Sequence, residues 1–156
     1  MSNRVWIYAS LKKLDETTEH SIRIDIGSFL SNWKAHDVPL SATFEILFHH
    51  IIVLKADEDR AVASGCSIDK QVHFMKELGN KYNLDFFNRT LVAFQKDQEF
   101  FIYPSSKTKL LLENGILNEN SLVFNLAVST DAEFDSEFQT PLINTWLSKY
   151  LSLSNP

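Results

Sequence analysis

The sequence predicts an α+β fold, with a mostly antiparallel sheet and helices packed on one face, in a single domain spanning residues 1–156. Three observations carry this expectation. Short β-prone runs come in adjacent pairs, 42–48 with 51–56 and 90–94 with 100–103, and pairs joined by short polar segments favour hairpins over long crossovers. Between the pairs lies the stretch from Ser67 to Tyr82, whose apolar residues recur at helical spacing. Finally, 156 residues with twelve Phe and only four Gly are enough to build a dense core without disulfides or a structural metal.

Val5 to Ala9 is a short apolar run ended by polar residues and reads as a first strand. In the next segment Ile22, Ile24 and Ile26 alternate as in a strand. Helical spacing, however, accounts for five apolar residues, Ile22, Ile26, Phe29, Leu30 and Trp33, so a helix is predicted, with Thr17 or Thr18 as its cap. Gly27 counts against it. The runs 42–48 and 51–56 form a hairpin across His49-His50 without an Asn-Gly turn, and Asp57 to Arg60 is a charged turn. From Ser67, the residues Ile68, Val72, Met75, Leu78, Gly79 and Tyr82 form one apolar stripe, opposite Asp69, His73, Lys76, Glu77 and Asn80.

A second hairpin follows across residues 95–99. Residues 106–114 read as a short helix ended by Gly115, and 122–128 as a buried strand. Residues 129–139 are the loosest stretch. Thr140-Pro141 is a good helix start ahead of Leu142, Ile143, Trp146, Leu147, Tyr150 and Leu151, so a C-terminal helix packing across the sheet is predicted. The opening order, β-α-β-β-α-β, is that of a ferredoxin-like split unit, a statement about connectivity alone.

Composition narrows the function classes. The formal net charge is −5 and the fifteen Lys and Arg are scattered singly or in pairs such as Lys12-Lys13, so nucleic acid is not an expected partner. The longest apolar runs, such as Ile51 to Leu54, are far short of the roughly 20 residues that span a bilayer, so no membrane insertion is expected. With one cysteine no intramolecular disulfide forms, and residues 1–6 carry no long apolar signal core. A cytoplasmic location is expected.

The chemistry-bearing candidates centre on Cys66. It opens the predicted second helix, where backbone N–H groups favour a thiolate. A nucleophilic cysteine needs a base or cation, and His36, at the end of the first long helix and on its core-facing side by helical count, is the candidate, with Asp69 as orienter. Against this, free cysteine is most often a small buried apolar group, here filling a gap beside Gly65. Ser64, Gly65 and Ser67 offer N–H donors to an anion, but serines at a helix start also cap it.

Asp69, His73 and Glu77 share a helix face that reads as solvated. His49 and His50, adjacent on a strand, point to opposite faces, and Glu45, His49 and His20 have no metal-ligand spacing. No metal and no cofactor are expected. Trp6, Tyr8, Trp33, Phe44 and Phe48 either line a ligand pocket or fill the core. Trp146 and Tyr150 either anchor a partner or dock the last helix.

Arg4-Val5-Trp6-Ile7-Tyr8, Asn32-Trp33 followed by His36, Phe44-Glu45-Ile46 and, most specifically, Ala63 to Asp69 resemble a family of short bacterial proteins without a known reaction, often labelled "ABC transporter ATPase". The resemblance runs from Arg4 to Tyr103 and is looser beyond. It implies no catalytic residue. An ATPase of that kind needs G-x-x-x-x-G-K-[ST] around the phosphates, an acidic residue for magnesium and a Leu-Ser-Gly-Gly signature, and none of the glycines at 27, 65, 79 and 115 opens such a motif.

The sequence therefore favours a small binding module, for a protein or a small-molecule partner, without ATPase activity. The alternative is a thiol-dependent enzyme or redox protein using Cys66 with His36. Association with a transporter is compatible with either.

Overall fold

The computed structural model describes residues 3–59 and 61–154, with side chains as far as Ser152. Arg60, placed at the end of the charged turn above, lies outside the described residues. Strand β1 (Arg4–Ala9) leads into helix α1 (Glu16–Ser31). Asp15, rather than Thr17 or Thr18, caps α1: its Oδ1 accepts from Thr18 N at 2.8 Å. A carboxylate satisfies an orphan N–H and complements the positive helix end together with Glu16 and Glu19.

Next come two short strands, β2 (Lys34–Ala35) and β3 (Val38–Pro39), then β4 (Ser41–Leu47), β5 (Ile51–Asp57) and helix α2 (Gly65–Tyr82). Strands β6 (Leu91–Lys96) and β7 (Glu99–Pro104) precede α3 (Thr108–Glu113) and β8 (Leu122–Phe124). The chain ends in α4 (Asp131–Glu137), β9 (Gln139–Pro141), two 3-10 turns at 142–144 and 146–150, and α5 (Leu151–Ser154).

Three hairpins turn on paired residues with positive φ and no glycine: His36 and Asp37, Phe48 and His49, Asp97 and Gln98. This geometry matches the twist of the strands but disfavours bulky side chains. At Phe48 the cost is offset by packing, because its ring stacks on Phe100 (4.6 Å) and leans on Phe124 (5.3 Å).

Strand pairing among the described residues is antiparallel throughout, in two principal sheets of order β1-β5-β4 and β7-β6-β8-β9. Strand alternation divides the core. Tyr8, Ile52, Leu54 and Ala56 pack against Ile22, Ile26, Leu30, Met75 and Leu78 of α1 and α2. Val5, Ala9, Ile51 and Val53 face the other way, onto Leu91, Phe100 and Ile102 of the second sheet. Val92, Phe94 and Val123 in turn meet Leu111, Leu117, Leu142 and Leu147. The layers run helix, sheet, sheet, helix, so each sheet carries helical structure on one face.

The ferredoxin-like β-α-β-β-α-β pattern is not reproduced: the β2–β3 hairpin intervenes between α1 and β4, and the sheet holds β1, β5 and β4 alone among the described residues. A fourth strand of that unit would be β6, which pairs instead with β7 and β8. Four consecutive residues of β6, Leu91 to Phe94, are buried, so the strand needs cover on both faces, and the second sheet's place between two layers supplies it.

Two further expectations are corrected. The predicted C-terminal helix is broken: Pro141 ends β9, and Thr145, extended at φ −117 and ψ 173, donates from Oγ1 to Leu142 O (2.7 Å) and accepts from Leu147 N (3.1 Å). A hydroxyl bonding locally to the backbone competes with the helix ladder. Residues 131–137, within the stretch read as loose, form α4, capped by Thr130 Oγ1 accepting from Glu133 N at 3.2 Å. Leu142 and Leu147 are nonetheless buried against Val92, Phe94 and Val123 of the second sheet.

Candidate ligand groove and the Cys66 helix start

The buried residues of α2 are Ser67, Gln71, Met75, Leu78 and Gly79, a stripe at helical spacing. Cys66 lies one residue off that stripe, on the face it shares with Lys70, His73 and Glu77, and is exposed. The packed cysteine favoured by composition is therefore not what is seen. His36 does not continue α1 on its core side either: α1 stops at Ser31, and His36 sits exposed in the β2–β3 turn. Among the described residues neither His36 nor Asp69 is hydrogen-bonded to Cys66.

Ser64 and Ser67 form a reciprocal capping box. Ser64 Oγ accepts from Ser67 N (3.1 Å), Ser67 Oγ accepts from Ser64 N (2.8 Å), and Ser67 Oγ donates to Ser64 O (2.9 Å). Both hydroxyls are thus engaged in starting the helix. Trp33 Nε1 donates to Ser67 O at 2.8 Å and ties that start to the chain leaving α1. On the solvated face His73 Nε2 meets Glu77 Oε1 at 3.0 Å with both side chains exposed. Among the described residues no three His, Cys, Asp or Glu side chains are grouped to hold a metal.

A larger feature lies elsewhere. A groove of about 770 Å³ runs beside β1, between the two sheets. One wall is Val5 to Ala9 and the facing wall is Val123 to Ser129; Val72 and Lys76 of α2, Phe86 to Arg89, and Trp146 complete it. Of the aromatic residues weighed from sequence, Trp6, Tyr8 and Trp146 line the groove. Trp33, Phe44 and Phe48 are packing residues of the clusters around the first sheet, and Tyr150 packs on the second.

The groove exists because β8 ends early. Asn125 N–H still donates to Phe138 O (2.6 Å), in register with β9, and Asn125 Oδ1 then accepts from Ala127 N (3.0 Å), which folds the chain out of the ladder. The chain returns to β1 only at Ser129, where Val5 N donates to Ser129 O (2.9 Å) and Asp131 N donates to Asn3 O (3.1 Å). These two bonds place the N–H and C=O groups of residues 3, 5, 7 and 9 on the side of β1 away from β5. Past Val5 N, that edge opens on the groove. Ile7 N–H and C=O have no backbone partner among the described residues.

The charge lining the groove has one sign. Of twenty Asp and Glu in the chain none lines it, while Lys76 and Arg89 do. Lys76 Nζ sits over the Phe87 ring at 5.6 Å, and neither cation has an ion-pair partner among the described residues. Tyr8 forms the base of this wall: its hydroxyl donates to Gln71 Oε1, and its ring meets Phe87 edge-on at 5.4 Å. Burial pushes the Tyr8 phenol up to about 12, against the opposing pull of the Gln71 bond and the nearby Arg89 charge. Lys76, Phe87 and Arg89 carry no motif that marks them in the sequence; only folding brings them to β1.

No protein-family profile matches this chain, and neither curated proteins nor solved structures give a match. The fold and groove define an antiparallel α+β protein with a cleft between sheets. It is not a P-loop ATPase: the phosphate-wrapping motif is missing, and the described strands form no parallel pair for that motif to follow. No helix among the described residues is long and apolar enough to cross a membrane.

Proposed function

We propose that this protein is a cytoplasmic single-domain binding module, for a ligand or a protein segment, without ATPase activity. The observation that carries the reading is the groove itself. Its volume of about 770 Å³ falls within the range of roughly 300–1,000 Å³ usual for ligand sites, and its walls combine apolar side chains with a few polar groups.

Val72, on the α2 wall, gives a direct test. Val72→Trp places a bulky ring at the groove wall from a position outside the buried stripe of α2. Melting temperatures of wild type and variant are compared across small acids, small neutral compounds and peptides. A ligand that stabilises wild type and leaves Val72→Trp unmoved supports the reading, because only a folded, open groove gains stability by mass action. If no compound separates the two proteins, the reading is wrong.

The exposure of Cys66 favours one second reading, a thiol-dependent activity with Cys66 as nucleophile or redox residue, His36 as base, Asp69 as orienter and the Ser64, Gly65 and Ser67 backbone as anion site.

A further inference from the structure

We propose that the groove binds an extended peptide segment bearing a carboxylate, which adds as a strand to the free edge of β1; this rests on the groove being a binding site at all. The shape of the wall carries the argument. Val5 to Ala9 line the groove without interruption, including Trp6 and Tyr8, which point to the helices, and Val5, Ile7 and Ala9, which point to the second sheet. A cavity that touches side chains of both faces of one strand lies along its edge, not on a face.

At that edge the backbone is ready to pair. Val5 N is already bonded to Ser129 O, but Val5 C=O, Ile7 N–H and C=O, and Ala9 N–H follow on the same side without a backbone partner among the described residues. From Val5 to Ala9 the edge is about 13 Å long at ~3.3 Å per residue, room for a ladder of a few residues. Strand addition gives affinity through the main chain and selectivity through alternate side chains. A compact small molecule would leave these backbone groups unpaired in a partly apolar cleft.

The charge completes the description of the partner. Lys76 and Arg89 line the groove without an ion-pair partner among the described residues, and none of the twenty Asp and Glu of a chain of net charge −5 lines it. A carboxylate on the incoming segment supplies the missing charge, and Arg89 offers it a two-pronged donor.

The experiment selects random peptides of roughly seven residues, displayed with free C-termini, on wild type with counter-selection on Val72→Trp. Recovered sequences are synthesised as free acid and as amide. Amide hydrogen exchange is read in the complex. Strand addition slows exchange at Ile7 and Ala9 by about tenfold or more, and Arg89→Glu weakens binding by about tenfold or more while Arg89→Lys restores part of it. Loss of binding on amidation places the carboxylate at the peptide terminus; retention places it on a side chain. Peptides that bind while Ile7 exchanges as fast as before overturn the proposal. So does the recovery of no peptide when small acids still bind wild type over Val72→Trp, which leaves the binding reading intact. If neither peptides nor small compounds separate the two proteins, the binding reading fails as well.

Discussion

Tyr8 on β1 and Gln71 on α2 are joined by a hydroxyl-to-amide hydrogen bond inside the core, with Tyr8 7% and Gln71 0% exposed. Gln71 Nε2 has no partner, so the phenol is the only group that satisfies this amide among the described residues. Tyr8→Phe strands the remaining amide oxygen and is expected to cost about 1–3 kcal/mol. Tyr8→Phe with Gln71→Leu removes every polar atom of the pair and is expected to recover most of that loss. Urea denaturation of the four proteins of this cycle measures the coupling; additive losses would show that the two residues do not act as a pair.

The same burial gives Tyr8 a pH signature. Its phenol is raised from 10.0 in the unfolded chain to about 12 in the fold. The neutral form is the one the fold accommodates, so this contribution is fully present below pH 10 and is lost between about 10 and 12 as the unfolded chain ionises first. Two units correspond to about 2–3 kcal/mol. Alkaline titration of wild type against Tyr8→Phe isolates the effect, with the variant's relative stability rising across that window. Parallel curves would contradict it.

Two helical glycines are expected to respond in opposite directions to alanine. At Gly79 a Cβ would lie 2.5 Å from Leu84 O, at the point where α2 ends on left-handed Asn83 and Leu84 N donates to Gly79 O. Backbone must shift there, so Gly79→Ala is expected to destabilise by about 1–3 kcal/mol despite the better helix propensity of alanine. At Gly27, inside α1, nothing lies within 4 Å, and Gly27→Ala is expected to stabilise by roughly 0.5–1 kcal/mol. Thermal unfolding of both variants checks the signs.

Cys66 is expected to react with iodoacetamide in the folded protein about as readily as in the denatured chain, because it is exposed on the outer face of α2. A thiol enzyme demands more: labelling at neutral pH faster than in the denatured control, and slowed by His36→Ala. Equal rates with no effect of His36→Ala would remove the thiol reading. Labelling only after unfolding would contradict the exposed placement itself.

Much of the fold was legible locally. The apolar stripe from Met75 to Tyr82, the paired runs at β4–β5 and β6–β7, and the Ser64 start of α2 all rest on periodicity and capping, which act over a few residues. The β2–β3 hairpin was not legible. Its turn uses His36 and Asp37 with positive φ, where sequence signals look for glycine or asparagine. The helix predicted from Thr140 failed for the same kind of reason, since a single threonine hydroxyl redirected the backbone at Thr145.

By itself the sequence determined the α+β class, the two long helices, the antiparallel hairpins and the lack of an ATP-binding loop, because each depends on spacing along the chain. Tertiary structure alone decided that the strands divide into two sheets, that β6 leaves the edge of β1 away from β5 open beyond Val5, and that Lys76, Arg89 and Trp146 line one groove with Ile7. Those outcomes depend on which faces and edges remain to be covered after the local elements form, and burial of Leu91 to Phe94 on both faces outweighed completion of the first sheet.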